Sequence, residues 1–337
     1  MPARTDDGGV PDREPDAVPE GADARARILH AAAFGAGPAS VAGRVGAGAE
    51  RPDGAPAIVL PAARTPRELW WRAVAHSGAG YYARAGGDLA ALAAAGAGPG
   101  WDALAASTAA SLLRQMGGHD RAAVYDGRAL ARIAGAGGGA REPVAGHAAA
   151  DAWTGLAADR LGRGDWRSAR RLLARCREQC AESGREPARG KQTPGSETET
   201  SDTGAPPRVA LRLHWVTAET AMTAGAPEAA VAAARAGLEM LEAGAFPSER
   251  HRVKTLLVAA AAEAVAGRPG AAAALADRAH AAAQTAGLVP LRWAAAMLLA
   301  GVTENAAAGA AASDVHACHG ILVARGGGDP RLMRGYL

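Results

Sequence analysis

The sequence predicts an all-α fold in which about six helical hairpins stack into an α-solenoid. Residues 153–176 and 214–237 repeat one pattern: an apolar stretch, a turn that contains glycine, an alanine shortly after the turn, and a second apolar stretch. Stacked helix–turn–helix units of this kind bury a continuous core. Composition points the same way, since 49% of the 337 residues are hydrophobic but only 4% are aromatic. Small alanine side chains suit close helix packing better than a β-sandwich.

Three segments are expected to lie outside the packed domain. Residues 1–62 are low in complexity and rich in proline, glycine and alanine, and their acidic start is typical of a disordered tail. Within them, residues 24–34 favour one short helix. The segment 184–207 has no apolar periodicity and is predicted to be a disordered loop inserted between repeats. Residues 329–337 form a tail.

The predicted helical domain spans residues 63–328. Its first helix begins with Thr65 as N-cap, Pro66 at the first helical position and Glu68 three residues after the cap, which together form a capping box. Glycine-bearing turns then divide the domain into pairs. The expected pairs are about 66–85 with 88–95, 101–116 with 120–134, 144–161 with 165–182, 209–223 with 227–242, 250–266 with 270–286, and 288–304 with 313–324.

Charge and composition argue against several classes of partner. The formal net charge is only +3 and the charges are interspersed, so we expect neither nucleic acid nor an anionic membrane surface as the main partner. No run of eighteen uncharged apolar residues exists, and the acidic start does not resemble a signal peptide. Three cysteines are too few for a disulfide framework. We therefore expect a cytoplasmic protein; the oligomeric state does not follow from the sequence.

Motifs for metal or cofactor chemistry are not evident. Cys176 and Cys180 share a helical face but lack two further ligands nearby, and at most two of the candidates in 316–319 converge. No phosphate-binding glycine loop or nucleophile elbow is present. We expect no cofactor, no metal and no enzymatic activity. Six aspartates are expected on polar faces, most of them as helix-start or solvated residues: Asp102, Asp120, Asp126, Asp151, Asp159 and Asp165.

The repeated pattern resembles the tetratricopeptide (TPR) family. That family places Trp, Leu, Gly and Tyr in the first helix of a repeat and Ala and Phe in the second. The clearest match here keeps the Trp, the Leu and the alanine, with Arg160 where the family has tyrosine and Leu173 where it has phenylalanine. It runs through Trp153, Leu156 and Ala157, then the turn at Gly164, then Ala169, and the small Ala157 and Ala169 lie where the paired helices approach. The resemblance implies a divergent, right-handed TPR-like array over about residues 65–325.

The resemblance also implies a binding surface. In TPR proteins the second, fifth, ninth and twelfth positions of the first helix line a concave groove. Mapped onto residues 209–223, these positions are Arg212, Trp215, Glu219 and Met222. An aromatic residue flanked by an arginine is typical of an interaction hot spot. Packing in the core or on the surface is the alternative for Trp215.

A second candidate surface lies at the start of the helix predicted over 250–266. Arg250, His251 and Lys254 have helical spacing and could bind an acidic peptide or a carboxylate, and Arg292 beside Trp293 would extend the basic patch into the next hairpin. Cations in a first turn oppose the helix dipole, so surface residues without a function are the alternative.

Two functions follow as hypotheses. The first is a non-enzymatic scaffold that binds a peptide or a partner helix in its concave groove, as the resemblance implies. The second is a regulatory protein that senses a ligand or peptide and acts through a second protein. Catalysis is the least favoured class. A solenoid offers an extended surface without a closed, dry pocket, and such a surface suits recognition better than catalysis.

Overall fold

The computed structural model describes residues 15–42, 58–136, 143–185 and 205–327, and every regular element in these ranges is an α-helix. Fourteen helices are described. They are α1 (Ala24–Phe34), α2 (Pro38–Ala42), α3 (Pro66–Gly78), α4 (Tyr82–Ala94), α5 (Pro99–Gln115), α6 (His119–Gly135), α7 (Pro143–Leu161), α8 (Trp166–Arg185), α9 (Pro207–Thr223), α10 (Pro227–Glu242), α11 (Glu249–Val265), α12 (Pro269–Ala286), α13 (Val289–Val302) and α14 (Asn305–Ala324).

Helices α3 to α14 pack in sequential pairs. Each odd-numbered helix contacts the even-numbered helix that follows it, and each pair contacts the next pair along the chain. The prediction of an all-α fold with successive helical hairpins is therefore confirmed. The predicted N-terminus of α3 is confirmed as well: the Thr65 side chain accepts a hydrogen bond from the Glu68 amide, and the Glu68 carboxylate accepts one from the Thr65 amide.

Alanine allows the paired helices to approach closely. Ala157 in α7 and Ala169 in α8 have no exposed surface, and the same holds for the alanines at equivalent places in later pairs. Interiors of proteins are close-packed, so a larger side chain at these positions would separate the helices. The fully buried alanines of the later pairs are Ala218, Ala230, Ala260 and Ala272.

The last hairpin contacts the first, so the six hairpins form a closed cycle of contacts, called the ring below. Helix α13 lies against α3, and Arg325, just after α14, donates from Nη1 to the Ala79 carbonyl oxygen at 2.7 Å. Gly80 has a φ of +82°, and a Cβ there would lie 2.6 Å from Leu322 Cδ2. The positive φ therefore favours glycine at this turn, and the Leu322 side chain of α14 packs against it.

The N-terminal region contributes to the packed structure through residues 15–42. Helix α1, whose predicted range is confirmed, packs on α3 and also contacts α11. Leu29 and Phe34 are buried, and Trp71 Nε1 donates to the Pro15 carbonyl oxygen at 2.9 Å. This part of the segment predicted to be disordered is instead docked, because its partners lie far along the chain.

The first hairpin turns earlier than the sequence suggested. The glycine pair 86–87 was expected to end the first helix, but the turn lies at residues 79–81 and both glycines lie inside α4. Asp88, expected to start the second helix, instead pairs from α4 with Arg72 at 2.6 Å and His76 at 2.9 Å on α3. The contacts between α3 and α4 therefore outweigh the tendency of the glycine pair to end a helix. In the last hairpin, α14 begins at Asn305, before the predicted start at 313.

Several predicted segments fall on parts of the chain that the structure does not describe. The structure does not describe residues 186–204 of the predicted loop 184–207, nor the predicted tail 329–337. Within the described ranges, no helix combines the length and the apolar character needed to cross a membrane.

Candidate functional site

A cavity of about 530 Å³ lies inside the ring and is called the central cavity. The first helix of every hairpin lines it: α3, α5, α7, α9, α11 and α13. Phe34 of α1 and the first residues of α4 and α6 complete the lining, whereas α8, α10, α12 and α14 contribute none of its residues. Ligand sites in proteins have volumes of about 300–1,000 Å³, so this cavity has the size of a small-molecule or short-peptide site.

Six of the eight residues predicted for partner binding line the central cavity. They are Arg212, Trp215, Glu219, Arg250, His251 and Lys254. The other two lie elsewhere. Met222 packs partly buried in the cluster formed by α9, α10 and α11, and Arg292 pairs with Asp314 of α14.

Aromatic side chains form much of the apolar lining. Trp215 is held by a hydrogen bond from its Nε1 to Thr255 Oγ1 at 2.8 Å and stacks on the His251 ring with centroids 5.4 Å apart. Trp70 is held in the same way by Thr108, at 2.9 Å. Trp293 faces the cavity from α13, and its buried Nε1 has no hydrogen-bond partner in the described part of the chain. The aromatic lining is thus fixed, with one donor left unsatisfied.

His251 is an uncharged member of this lining rather than part of a basic patch. Its Nδ1 lies 2.9 Å from Ser248 Oγ, and its ring makes an edge contact with Phe246 at 4.8 Å between centroids. Burial, with added repulsion from Arg250, holds the pKa of His251 well below its ordinary value. The imidazole is therefore neutral near pH 7, and the predicted cationic role falls to its neighbours.

Three arginines, Arg208, Arg212 and Arg250, lie on α9 and α11 and are called the arginine cluster. Arg208 is almost fully buried and pairs through Nε with Asp16 at 2.7 Å and through Nη1 with Asp151 at 2.9 Å. Burial opposes its charge, but Asp151 and Asp16 outweigh that effect and raise the pKa of Arg208.

The other two arginines are less well compensated. Arg212 Nε lies 3.1 Å from Asp151 but without hydrogen-bond geometry, and burial together with the Arg208 charge lowers the pKa of Arg212. Arg250 belongs to no ion pair within the described ranges; its Nη1 donates to the Val74 carbonyl oxygen at 3.4 Å. Burial, then the Arg212 charge, lowers the pKa of Arg250 to about 10, so it remains charged at neutral pH.

A second polar network lies on the α5 and α7 side of the cavity. Arg114 pairs with Asp126 at 2.6 Å and with Asp159 at 2.8 Å, and His119 Nδ1 lies 3.1 Å from Asp159. Burial raises the pKa of Asp126 to about 7, against the opposing effect of Arg114. A Cβ on Gly155 would lie 2.1 Å from Asp126 Oδ2, so glycine makes room for this network.

The prediction that the six aspartates lie on polar faces, mostly as helix-start or solvated residues, is wrong for three of them. Asp126, Asp151 and Asp159 are buried and neutralise arginines. The physical reason is that each accepts charged hydrogen bonds from an arginine on another helix, a contact that spacing within one helix does not reveal. Asp165 does cap its helix, since its Oδ1 accepts from the Ser168 amide at 3.0 Å.

Lys254 and Glu219 pair with each other at 2.9 Å on the cavity lining, and both are about one-third exposed. The pair therefore adds no net charge. In the ranges that the structure describes, no group of three or more His, Cys, Asp or Glu is placed to hold a metal ion, and the three cysteines are buried and free.

Together these features define an all-helical protein of sequential helix pairs whose first helices surround a partly polar cavity. No family model matches the chain, and no curated protein is significantly similar to it. The resemblance to tetratricopeptide repeats thus depends on the sequence pattern and on the pairwise packing of the helices.

Proposed function

We propose that this protein is a non-enzymatic, ligand-sensing protein that takes a small molecule or a short peptide into its central cavity and acts through a second protein. The observation that supports this most is that the first helix of every hairpin lines one cavity of about 530 Å³. A ligand there lies next to residues from all six hairpins. A ligand that binds one arrangement of the hairpins more tightly than another would shift the ring toward that arrangement.

The proposal includes a divergent TPR-like, right-handed arrangement of the hairpins. Its support is the repeated pattern around Trp153 and His214, the buried alanines between paired helices, and a cavity lined from the first helices, where the groove of such arrays lies. Contact between the last and first hairpins closes the groove at its ends. That closure favours a compact ligand over a partner helix, which needs a groove open along its length.

Binding is favoured over catalysis by how the polar groups on the lining are used. Thr108 and Thr154 donate their hydroxyl protons to carbonyl oxygens one helical turn earlier. Ser248 and His251 are 2.9 Å apart, but Ser248 does not line the cavity, and no described carboxylate pairs with His251. The hydroxyls of Thr108 and Thr154 are therefore not paired with an oriented base, as nucleophilic catalysis requires.

A screen of drug-sized metabolites and short peptides by thermal shift tests the proposal. The key variant is Ala294→Phe, which places a ring in the cavity, and its control is Met297→Phe on the exposed side of α13. Ligands at one hundred times their dissociation constant stabilise a protein by about 2.7 kcal/mol. We expect ligands that raise the melting temperature of the wild type and of Met297→Phe, but not that of Ala294→Phe. A screen without such ligands, or equal shifts in all three proteins, would contradict the proposal.

A scaffold that captures a partner helix is the second candidate, supported by the hot-spot composition of Arg212 and Trp215. The double variant Trp215→Ala with Arg212→Ala should then lose partner capture while keeping its helicity. Unchanged capture would exclude these two residues as the docking surface.

A further inference from the structure

We propose that the ligand of the central cavity is an amphipathic anion, whose carboxylate or phosphate binds at the arginine cluster while its apolar body lies against the aromatic lining. This inference rests on the proposed function, because it assigns the chemical class of the ligand to the same cavity. Its starting point is an imbalance of charge around α9 and α11.

Carboxylates do not neutralise the arginine cluster completely. Three guanidinium groups face two carboxylates, because Asp16 pairs with Arg208 alone while Asp151 serves both Arg208 and Arg212. The other cations on the lining are already paired: Lys254 with Glu219, and Arg114 with two carboxylates of its own. Arg250 is therefore the cation of the arginine cluster that has no carboxylate partner in the described ranges.

The guanidinium group of Arg250 has few hydrogen-bond partners in the described ranges. Its one described hydrogen bond, to the Val74 carbonyl oxygen, is long at 3.4 Å. Burial lowers its pKa, and repulsion from the charges of Arg212 and Arg208 lowers it further. A charge removed from water without a counter-ion is costly, so an anion bound between these arginines would relieve the repulsion. Arg212 lines the same cavity and shares its carboxylate, Asp151, with Arg208, so its charge also favours an anion there.

The rest of the lining fits an apolar body rather than a simple inorganic ion. Trp215 is held between Thr255 and the neutral His251 ring, next to the arginine cluster on α9 and α11. Phe34, Trp70 and Trp293 line the same cavity. An anion with an aromatic or branched apolar body would contact the arginines and these rings together, with the buried Trp293 Nε1 as a further donor.

A pair of fluorescent probes that differ in charge tests this assignment. The probe 8-anilinonaphthalene-1-sulfonate carries an anionic group on an aromatic body, and N-phenyl-1-naphthylamine is its neutral counterpart. The variant Arg250→Gln removes the unpaired charge, and Arg250→Lys retains a charge. The matched control is Arg252→Gln on the same helix, since Arg252 is paired with Glu249 and does not line the cavity.

We expect saturable binding of the anionic probe to the wild type and about thirtyfold weaker binding to Arg250→Gln, as fits the loss of a hydrogen bond to a charged group. Arg250→Lys should lose less, and Arg252→Gln should match the wild type. The neutral probe should bind Arg250→Gln within about twofold of the wild type. Because the removed charge is unpaired, Arg250→Gln should also melt no lower than the wild type, which separates a binding defect from a folding defect.

Displacement of the anionic probe identifies the head group. Displacement by benzoate or by phenyl phosphate supports the inference, and the more effective competitor shows whether a carboxylate or a phosphate is preferred. An anionic probe that binds Arg250→Gln as tightly as the wild type, or that neither competitor displaces, overturns the inference but leaves the proposed function intact. If neither probe shows saturable binding to the wild type, the proposed function fails as well.

Discussion

Replacing Asp16 by asparagine should release the N-terminal segment from the ring. Asp16 Oδ2 lies 2.7 Å from Arg208 Nε, and the side chains are 3% and 5% exposed. Asparagine keeps the size and an acceptor oxygen but loses the charge. Arg208 retains Asp151 at 2.9 Å, so the variant does not leave it entirely unpaired.

The size of the expected loss in stability depends on Asp151, which remains paired with Arg208. A hydrogen bond between charged groups contributes about 1.5–3 kcal/mol and a neutral one about 1 kcal/mol. After the substitution, Arg208 and Arg212 also share a single carboxylate, which adds to the loss. We therefore expect a loss of about 2 kcal/mol, less than the roughly 3–5 kcal/mol seen when a buried ion is left without any partner.

Hydrogen exchange of the α1 amides is the assay, because α1 opens with the segment that Asp16 holds. A loss of about 2 kcal/mol corresponds to roughly thirtyfold faster exchange through local opening. The control is Glu20→Gln, which removes the same charge from an exposed side chain. If Asp16→Asn and Glu20→Gln protect the α1 amides equally, the buried ion pair does not hold the segment and the reasoning is refuted.

Two further predictions concern packing and pH. Ala169→Leu, at a fully buried position in α8, should destabilise the protein by about 1–3 kcal/mol through overpacking. Its control, Ala174→Leu on the exposed side of the same helix, should have little effect in urea unfolding. Equal unfolding midpoints for the two variants would show that α7 and α8 do not pack as described. Burial, then the Arg208 charge, lowers the pKa of His147 to about 4, so its contribution to stability is present above pH 6.5 and is lost as the pH falls from 6.5 towards 4. Between pH 7 and pH 4, the free energy of unfolding of the wild type should therefore fall by about 3 kcal/mol more than that of His147→Asn. The exposed His316→Asn is the control. Parallel pH profiles for the wild type and His147→Asn would contradict this prediction.

The helices were predictable because their signals are local. The capping box at Thr65 begins α3, and the glycine-bearing turns of the second to fifth hairpins separate their helices within a few residues of the predicted bounds. The first hairpin was the exception. There the pair 86–87 suggested a turn, but contacts of Asp88 with α3 keep both glycines inside a helix.

The cavity was predictable only in part. The groove positions implied by the tetratricopeptide resemblance include Arg212, Trp215 and Glu219, which lie on the helix face that lines the central cavity. The basic residues predicted at the start of α11 include Lys254, which also lines it. The missing information was long-range. Asp16 and Arg208 are 192 residues apart, and no local pattern connects them or indicates that the last hairpin reaches the first.

The most direct test of the account is a crystal of the full chain soaked with a bromonaphthalene sulfonate, with the bromine located by anomalous scattering. We predict one site inside the ring, with the bromine against Trp215 or Trp293 and the sulfonate within hydrogen-bonding distance of Arg250. A probe found only on the outer faces of the second helices, with the central cavity free of bromine, would contradict the claim that the ring is built to hold an anionic ligand.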